Sequence, residues 1–291
     1  MSNPSHRYLV TGASGQLGRL VVEGLVRKVP AEQVAVIVRN PKAGESLAAL
    51  GVEVRIADYA KPETLDAAFA GIDRALLISS SEVGQRTVQH RNVIDAAKRA
   101  GVTFLAYTSL LHADTSPLGL AVEHRETEAA LSSSGIPFAV LRNGWYTENK
   151  VMAIPAALEH GAYLGSAGEG RFSTASRADY AEAAVAVLLA DDAGNGCIYE
   201  LAGDRSFTLP EFVAEVARQS AKPVAYKDLP EAEYKSVLLG AGLPEHFAEL
   251  LADSDAGAAK GALLDESGQL GALIGRRTTP YAATIAEALR G

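Results

Sequence analysis

The chain has 291 residues, 48% hydrophobic and 21% charged, which is enough apolar material for a sizeable core, and its formal charge of −8 argues against nucleic acid or an anionic membrane as partner. A single cysteine, Cys197 in a strand-like run where a small buried residue is expected, excludes an intrachain disulfide and any cysteine-based metal cluster. No run approaches the ~18 apolar residues of a membrane span, and the polar residues 1–7 lack the apolar stretch of a signal peptide, so a cytoplasmic location is expected.

The first element is the apolar run Tyr8–Val10, followed by Thr11-Gly12-Ala13-Ser14-Gly15-Gln16-Leu17-Gly18 and a helical pattern over 17–27. Three glycines at this spacing let a strand turn tightly into a helix and let backbone come close to a pyrophosphate. The helix N-terminus then offers free N–H groups and a partial positive charge to phosphate oxygens. The pattern Gly-x-x-Gly-x-x-Gly is similar to that of extended short-chain dehydrogenases. The next strand, Val34–Val38, ends in Arg39-Asn40-Pro41, and Arg39 stands 21 positions after Gly18. An acid near this place would accept from the ribose 2′-hydroxyl of NAD, whereas arginine suits a 2′-phosphate. NADPH is therefore expected over NADH.

Strand-like runs follow at 52–56, 75–78, 104–107 and 138–141, separated by helical patterns at 44–50, 62–70, Arg86–Arg99 and 121–132. Such alternation predicts an α/β fold, a doubly wound parallel sheet of Rossmann type. Ligands of such sheets lie in the loops after the strands. Those loops hold Asp58 and Tyr59, placed to meet the adenine, and Ser79, Ser80, Ser81, Gln85 and Arg86, placed to meet ribose and pyrophosphate. They also hold Thr108 to Leu111, directly after Tyr107 at the end of its strand, and the segment from Asn143 to Asn149.

After about residue 150 the pattern loosens. Helices are expected at Arg177–Leu189, 209–219 and 282–289, with a capping box from Thr208 and Glu211, and a Thr279 cap before Pro280. Residues 1–150 are read as the dinucleotide-binding domain, to which 177–202 return. Residues 151–291 form a smaller lobe over the sheet's carboxyl edge, with 240–271 as a loose, lid-like stretch.

The expected acid of a short-chain dehydrogenase, a Tyr-x-x-x-Lys pair in the helix after the fifth strand, is missing. His124-Arg125-Glu126-Thr127-Glu128 stands there, and Leu111 lies four positions after Tyr107. Two options follow: a reduction that needs no strong acid, or dinucleotide binding without chemistry. Quinones fit the first, because hydride delivery leaves a phenolate-like anion of basicity near that of tyrosine, pKa ~10. Gly144 permits close approach to a nicotinamide. Asn143 can hold its carboxamide or donate to a substrate carbonyl, Trp145 and Tyr146 offer flat walls to a planar ring, and Glu148 closes the segment. His124 is a weaker candidate proton donor, since a histidine on a helix face is more often solvated. His112 and Asp114 do not make a metal site, and no metal is expected.

The motifs at 12–18, 36–41, 77–86, 107–114 and 141–149 together resemble the NmrA-like atypical short-chain dehydrogenases, and among them the flavin-free, zinc-free bacterial quinone oxidoreductases of the second type. That resemblance covers nearly the whole chain. It implies NADPH as hydride donor, small planar quinones as acceptors, and a substrate cleft between sheet edge and C-terminal lobe. Triarylmethane-dye reductases and an NmrA-type redox sensor without turnover stay as alternatives, and a homodimer stays open.

Overall fold

The computed structural model describes residues 6–190 and 194–290; residues 1–5, the front of the polar N-terminal stretch, lie outside it. Along the chain run β1 (Tyr8–Val10), α1 (Gln16–Val26), β2 (Val34–Val38), α2 (Pro41–Ala48), β3 (Glu53–Ile56), α3 (Pro62–Phe69) and β4 (Arg74–Leu77). Then come α4 (Arg86–Arg99), β5 (Phe104–Leu110), α5 (Ala121–Ser133) and β6 (Phe138–Asn143). One seven-stranded sheet has the order β3-β2-β1-β4-β5-β6, closed by β9 (Cys197–Leu201) at its edge. The pairs linking β3, β2, β1, β4 and β5 are parallel. The strand order reverses between β1 and β4, and the glycine turn leaves the sheet at that switch point, where ligands of open α/β sheets bind.

Central strands carry helices on both faces and so read as unbroken apolar runs. Every residue of β1, β2, β4 and β5 is buried. Leu9, Ile37, Leu77, Leu105 and Tyr107 join Leu65, Phe69, Val93 and Ile94 in a continuous core. α2 begins three residues earlier than expected, because Asn40 accepts the Ala43 N–H at 3.0 Å and Pro41 opens the first turn. β5 runs on through Thr108 and Ser109, since both polar side chains are buried and hydrogen-bonded.

Internal contacts divide the chain into two compact units, Met1–Leu110 with Glu123–Arg142 and Tyr180–Tyr199, and Leu111–Val122 with Asn143–Asp179 and Glu200–Gly291. In the second unit lie α6 (Thr147–Val151), α7 (Ile154–His160), β7 (Ala162–Gly165), β8 (Arg171–Phe172) and the start of α8 (Arg177–Leu189). β10 (Phe207–Thr208), α9 (Leu209–Ser220), β11 (Ala225–Asp228), α10 (Glu231–Gly240), α11 (Glu245–Ala258), α12 (Gln269–Ile274) and α13 (Tyr281–Ala288) complete it. β8 pairs antiparallel with β10, and β7 pairs parallel with β11. The rings of Phe172, Phe207, Phe212 and Tyr281 form its aromatic core.

The Thr208–Glu211 capping box is present. Thr279 does not cap α13: its hydroxyl donates to the buried Asp179 at 3.1 Å, and Pro280 takes the N-cap position. The stretch expected to be loose at 240–271 contains the whole of α11 and the start of α12, and its Gly242 and Pro244 lie in the short turn that joins α10 to α11. Cys197 is half-buried, not buried, because it lies on the edge strand β9. Among the described residues no helix is long and apolar enough to cross a membrane.

Candidate functional site

In the first unit the turn after β1 is shaped by what its glycines exclude. Gly12 has a φ of 60°, a conformation most side chains resist. A Cβ on Gly18 would lie 2.4 Å from the Gly12 carbonyl oxygen and 2.7 Å from the Ala13 Cα. The helix can therefore press against the turn only as glycine. Ala13, Leu17 and Gly18 are buried, while Ser14, Gly15 and Gln16 are exposed. Gly15 caps α1 with no side-chain bond, and no acid stands in the first turn, so the leading N–H groups face outward without a competing anion. Tyr59 supports the turn from beneath: its hydroxyl donates to Thr11 and lies 3.2 Å from the Ile78 carbonyl. The Asp58 carboxylate accepts from the Ala60 N–H at 3.0 Å and closes its own turn.

Arg39 is exposed, and its Nη1 donates to Glu82 at 2.8 Å. Gln89 donates to the other Glu82 oxygen at 2.7 Å. The loop after β4 is clamped by α5. Glu123 accepts the N–H groups of Gly84 and Arg86 at 3.1 and 3.0 Å, and Arg86 Nε donates to the Ser80 carbonyl at 2.6 Å. Ser79 donates its N–H to Thr108 at 2.9 Å, while Ser81 and Gln85 are exposed. Arg86 Nη1 and Ser79 Oγ are buried without a hydrogen-bond partner, an arrangement that suits a ligand rich in oxygen atoms.

Sequence inspection missed His90. Its Nε2 accepts the Ser80 N–H at 2.9 Å, so the ring proton sits on Nδ1 and points to Thr127 Oγ1, 3.0 Å away. Burial first, and Arg86 second, push its pKa down to about 3. His124, expected on a solvated helix face, is buried and lies 2.7 Å from the Tyr107 hydroxyl. Burial, Arg86 and His90 push it down to about 3 as well. It is uncharged at neutral pH and has no imidazolium proton to give, a correction to its role as donor. Its burial follows from the turn of α5 that faces β5.

The second unit carries the segment after β6. Asn143 is buried; its backbone carbonyl accepts the Leu111 N–H at 3.0 Å, while its side-chain oxygen has no partner. Gly144 donates to the Leu201 carbonyl at 2.8 Å. Trp145 is buried with its indole N–H unpartnered. Tyr146 caps α6, and the Arg177 guanidinium lies 4.7 Å over its ring. Burial raises the Tyr146 pKa, opposed by the Asn143 side chain and by Arg177. Arg177 also donates its N–H to Glu148 at 2.8 Å and its Nη2 to Asn149 at 2.7 Å. Arg177 was legible only as a helix start, because nothing in the linear pattern joins it to 146–149.

Tyr146 and Lys150 do stand at Tyr-x-x-x-Lys spacing, one strand later than in a dehydrogenase. Lys150 is buried elsewhere, with its ammonium 2.5 Å from Asp255 and 4.2 Å over the Phe172 ring. Paired this way it supports the second unit and does not serve Tyr146. Among the described residues no group of three or more His, Cys, Asp or Glu side chains could hold a metal ion.

Residues 12–191 match the family model described as NAD(P)H-binding. Quinone oxidoreductase 2 of Escherichia coli strain K12 is 55% identical over 277 residues, covering 95% of this chain and 96% of that protein. The crystal structure of the Escherichia coli NADPH-dependent quinone oxidoreductase in complex with NADPH superposes with a TM-score of 0.94 at 54% identity, covering 97% of this chain and 99% of that one. The Citrobacter sp. triphenylmethane reductase complexed with NADP(H) follows at 0.92 and 38%, again over 97% and 99%.

Proposed function

This chain belongs to the NmrA-like family of NAD(P)H-binding proteins, and from that premise we infer that it is an NADPH-dependent quinone oxidoreductase. The observation that carries the activity is the 55% identity that spans nearly the whole of both chains. A dye reductase matches at 38%, so the quinone stands ahead as acceptor.

The residues present fit the dinucleotide. α1 can press against the turn closely enough to aim its leading N–H groups outward only because Gly18 has no Cβ, and buried polar atoms on Ser79, Arg86, Asn143 and Trp145 have no hydrogen-bond partner among the described residues. In the proposed assignment the first-turn amides of α1, with Ala13, Ser14, Gln16 and Leu17 shaping the turn, take the pyrophosphate. Arg39 takes the 2′-phosphate by exchanging Glu82 for it. Ser79, Ser80, Ser81, Gln85 and Arg86 take the riboses, with Asp58 and Tyr59 toward the adenine and Tyr107 and Thr108 behind the loop. When bound, NADPH supplies the hydride.

The remaining work falls to the protein's own side chains. Asn143 Oδ1 orients a carboxamide, while Gly144 leaves its backbone open to close approach. Trp145 and Tyr146 hold a planar ring and exclude water beside it. The indole N–H donates to a carbonyl oxygen as it gains charge. Arg177 and Glu148 fix Tyr146 in place. The reduced oxygen has a pKa near that of a phenol, about 10, so it takes its proton from water or a weak donor and needs no Tyr–Lys pair. The proposal extends to a dinucleotide-binding part centred on 1–150, a substrate part within 151–291, a small planar quinone as acceptor and a cytoplasmic location; light scattering decides whether the protein is a homodimer.

The test is absorbance-monitored NADPH oxidation by purified protein with a simple benzoquinone, corrected for the uncatalysed reaction, with NADH in parallel. Rapid quinone-dependent loss of NADPH, with NADH much slower, is expected. Tight NADPH binding without turnover on quinones or triarylmethane dyes would overturn the assignment in favour of a sensor.

A further inference from the structure

The second unit contains a cavity of about 920 Å³ that shares no lining residue with segment 143–148. Arg205 lines it from the loop after β9, Arg276 and Arg277 from the turn after α12, and Tyr281 from the start of α13, with Thr174, Asp204 and Thr278. The turn is firmly built. A Cβ on Gly271 would meet Asp204 Oδ1 at 2.8 Å and the Arg276 carbonyl at 3.2 Å, and Asp204 Oδ2 accepts the Thr278 N–H at 2.8 Å.

Charge in this cavity does not balance. Arg276 is neutralised by the buried Asp179, 2.7 Å away. Glu215 is held by Arg218 at 2.5 Å and by Gln219 at 2.7 Å. Asp204 accepts the Thr278 N–H but keeps its negative charge, so with Arg205 and Arg277 the unpaired side chains of the lining carry one net positive charge. Arg205 and Arg277 are exposed and have no carboxylate partner among the described residues. Two guanidinium groups lining one concave surface suit a multivalent oxyanion by charge and by hydrogen-bond donors. The Thr278 hydroxyl accepts the Asp204 N–H at 2.9 Å and keeps its own proton to donate. The volume lies in the range of small-molecule sites, roughly 300–1,000 Å³.

We propose that this cavity is a second ligand site, separate from the dinucleotide and quinone residues, that binds a small oxyanion of two or more negative charges through Arg205, Arg277 and Thr278. Thr174 in its lining shares a 2.8 Å hydrogen bond with Thr147, the first residue of α6. The site therefore lies one hydrogen bond from the segment assigned to the quinone.

Isothermal titration calorimetry decides it, with inorganic pyrophosphate and citrate titrated separately into the protein at saturating NADPH, so that Arg39 is already occupied. One saturable site per chain is expected for at least one of the two anions. Binding of both assigns general oxyanion recognition, and binding of pyrophosphate alone assigns phosphate chemistry. The double variant Arg205→Gln/Arg277→Gln should weaken binding by about tenfold or more, with an unliganded melting temperature equal to that of the parent; Arg277→Gln alone gives a smaller loss if the double variant folds poorly. Arg39→Ala, titrated without NADPH, should keep the second site, so failure of the NADPH assignment is distinguished from failure of this one. Absence of saturable binding, equal affinity in the double variant, or loss in Arg39→Ala alone would overturn the proposal.

Discussion

The turn after β1 and the segment after β6 both leave the sheet at a strand end, yet they are built on opposite principles. The first is dictated by backbone: Gly12 at positive φ, Gly18 pressed to within 2.4 Å of a carbonyl at its Cβ position, and Tyr59 bonded to Thr11 below. The second is an arrangement of side chains, in which Asn143 and Trp145 keep buried polar atoms unpartnered while Arg177 braces Tyr146 and Glu148. A backbone site tolerates no added atom and recognises what every dinucleotide has in common. A side-chain site can be varied residue by residue, which is where acceptor preference is free to diverge.

Gly18→Ala should have the largest effect. The added methyl collides with backbone rather than with a flexible side chain, so a stability loss of about 3 kcal/mol and loss of NADPH binding are expected in melting and fluorescence titration. A variant that melts normally and binds NADPH would break the backbone side of the comparison.

Next comes acid. His90 and His124 have folded pKa values near 3, below the unfolded value of 6.5. The unfolded chain therefore binds more protons between those limits. Their stabilisation is complete above pH 6.5 and is lost as the pH falls toward 3, by about 1.4 kcal/mol per pH unit for each ring. His124→Asn, which keeps an amide near Tyr107, should roughly halve the slope of stability against pH in denaturant melts; an unchanged slope would show that the ring is not neutral in the fold.

Arg39→Ala should weaken NADPH about thirtyfold, from the loss of a charge-assisted pair worth roughly 2 kcal/mol, and leave NADH nearly unchanged. Equal losses for the two cofactors would remove Arg39 as selector. Smallest is Asn143→Ala, expected to lower kcat about tenfold through poorer orientation with NADPH affinity intact. If affinity falls as far as turnover, the segment after β6 belongs to cofactor binding alone, and the contrast between the two regions disappears.

Much of the first unit was legible because its signals are local. Tyr8–Val10, Val34–Val38 and Arg86–Arg99 begin and end where apolar runs and caps place them. Errors arose where a polar residue has a distant partner. Thr108 and Ser109 read as loop but are buried in β5 by bonds to Ser79 and Glu128. Thr279 read as a cap but reaches Asp179, 100 positions away in sequence. His124 read as solvated because α5 has no strong apolar face to show which side it buries.

The sequence by itself determined the doubly wound sheet, the glycine turn and the arginine at the end of the second strand, since alternation, turn chemistry and spacing act over a few residues. Only the tertiary structure decided the charge states of His90 and His124, the diversion of Lys150 to Asp255, the bracing of Tyr146 by Arg177 and the gathering of Arg205 and Arg277 around one cavity. Burial, charge and contact between residues far apart in the chain have no signature until folding removes water and brings the partners within hydrogen-bond reach.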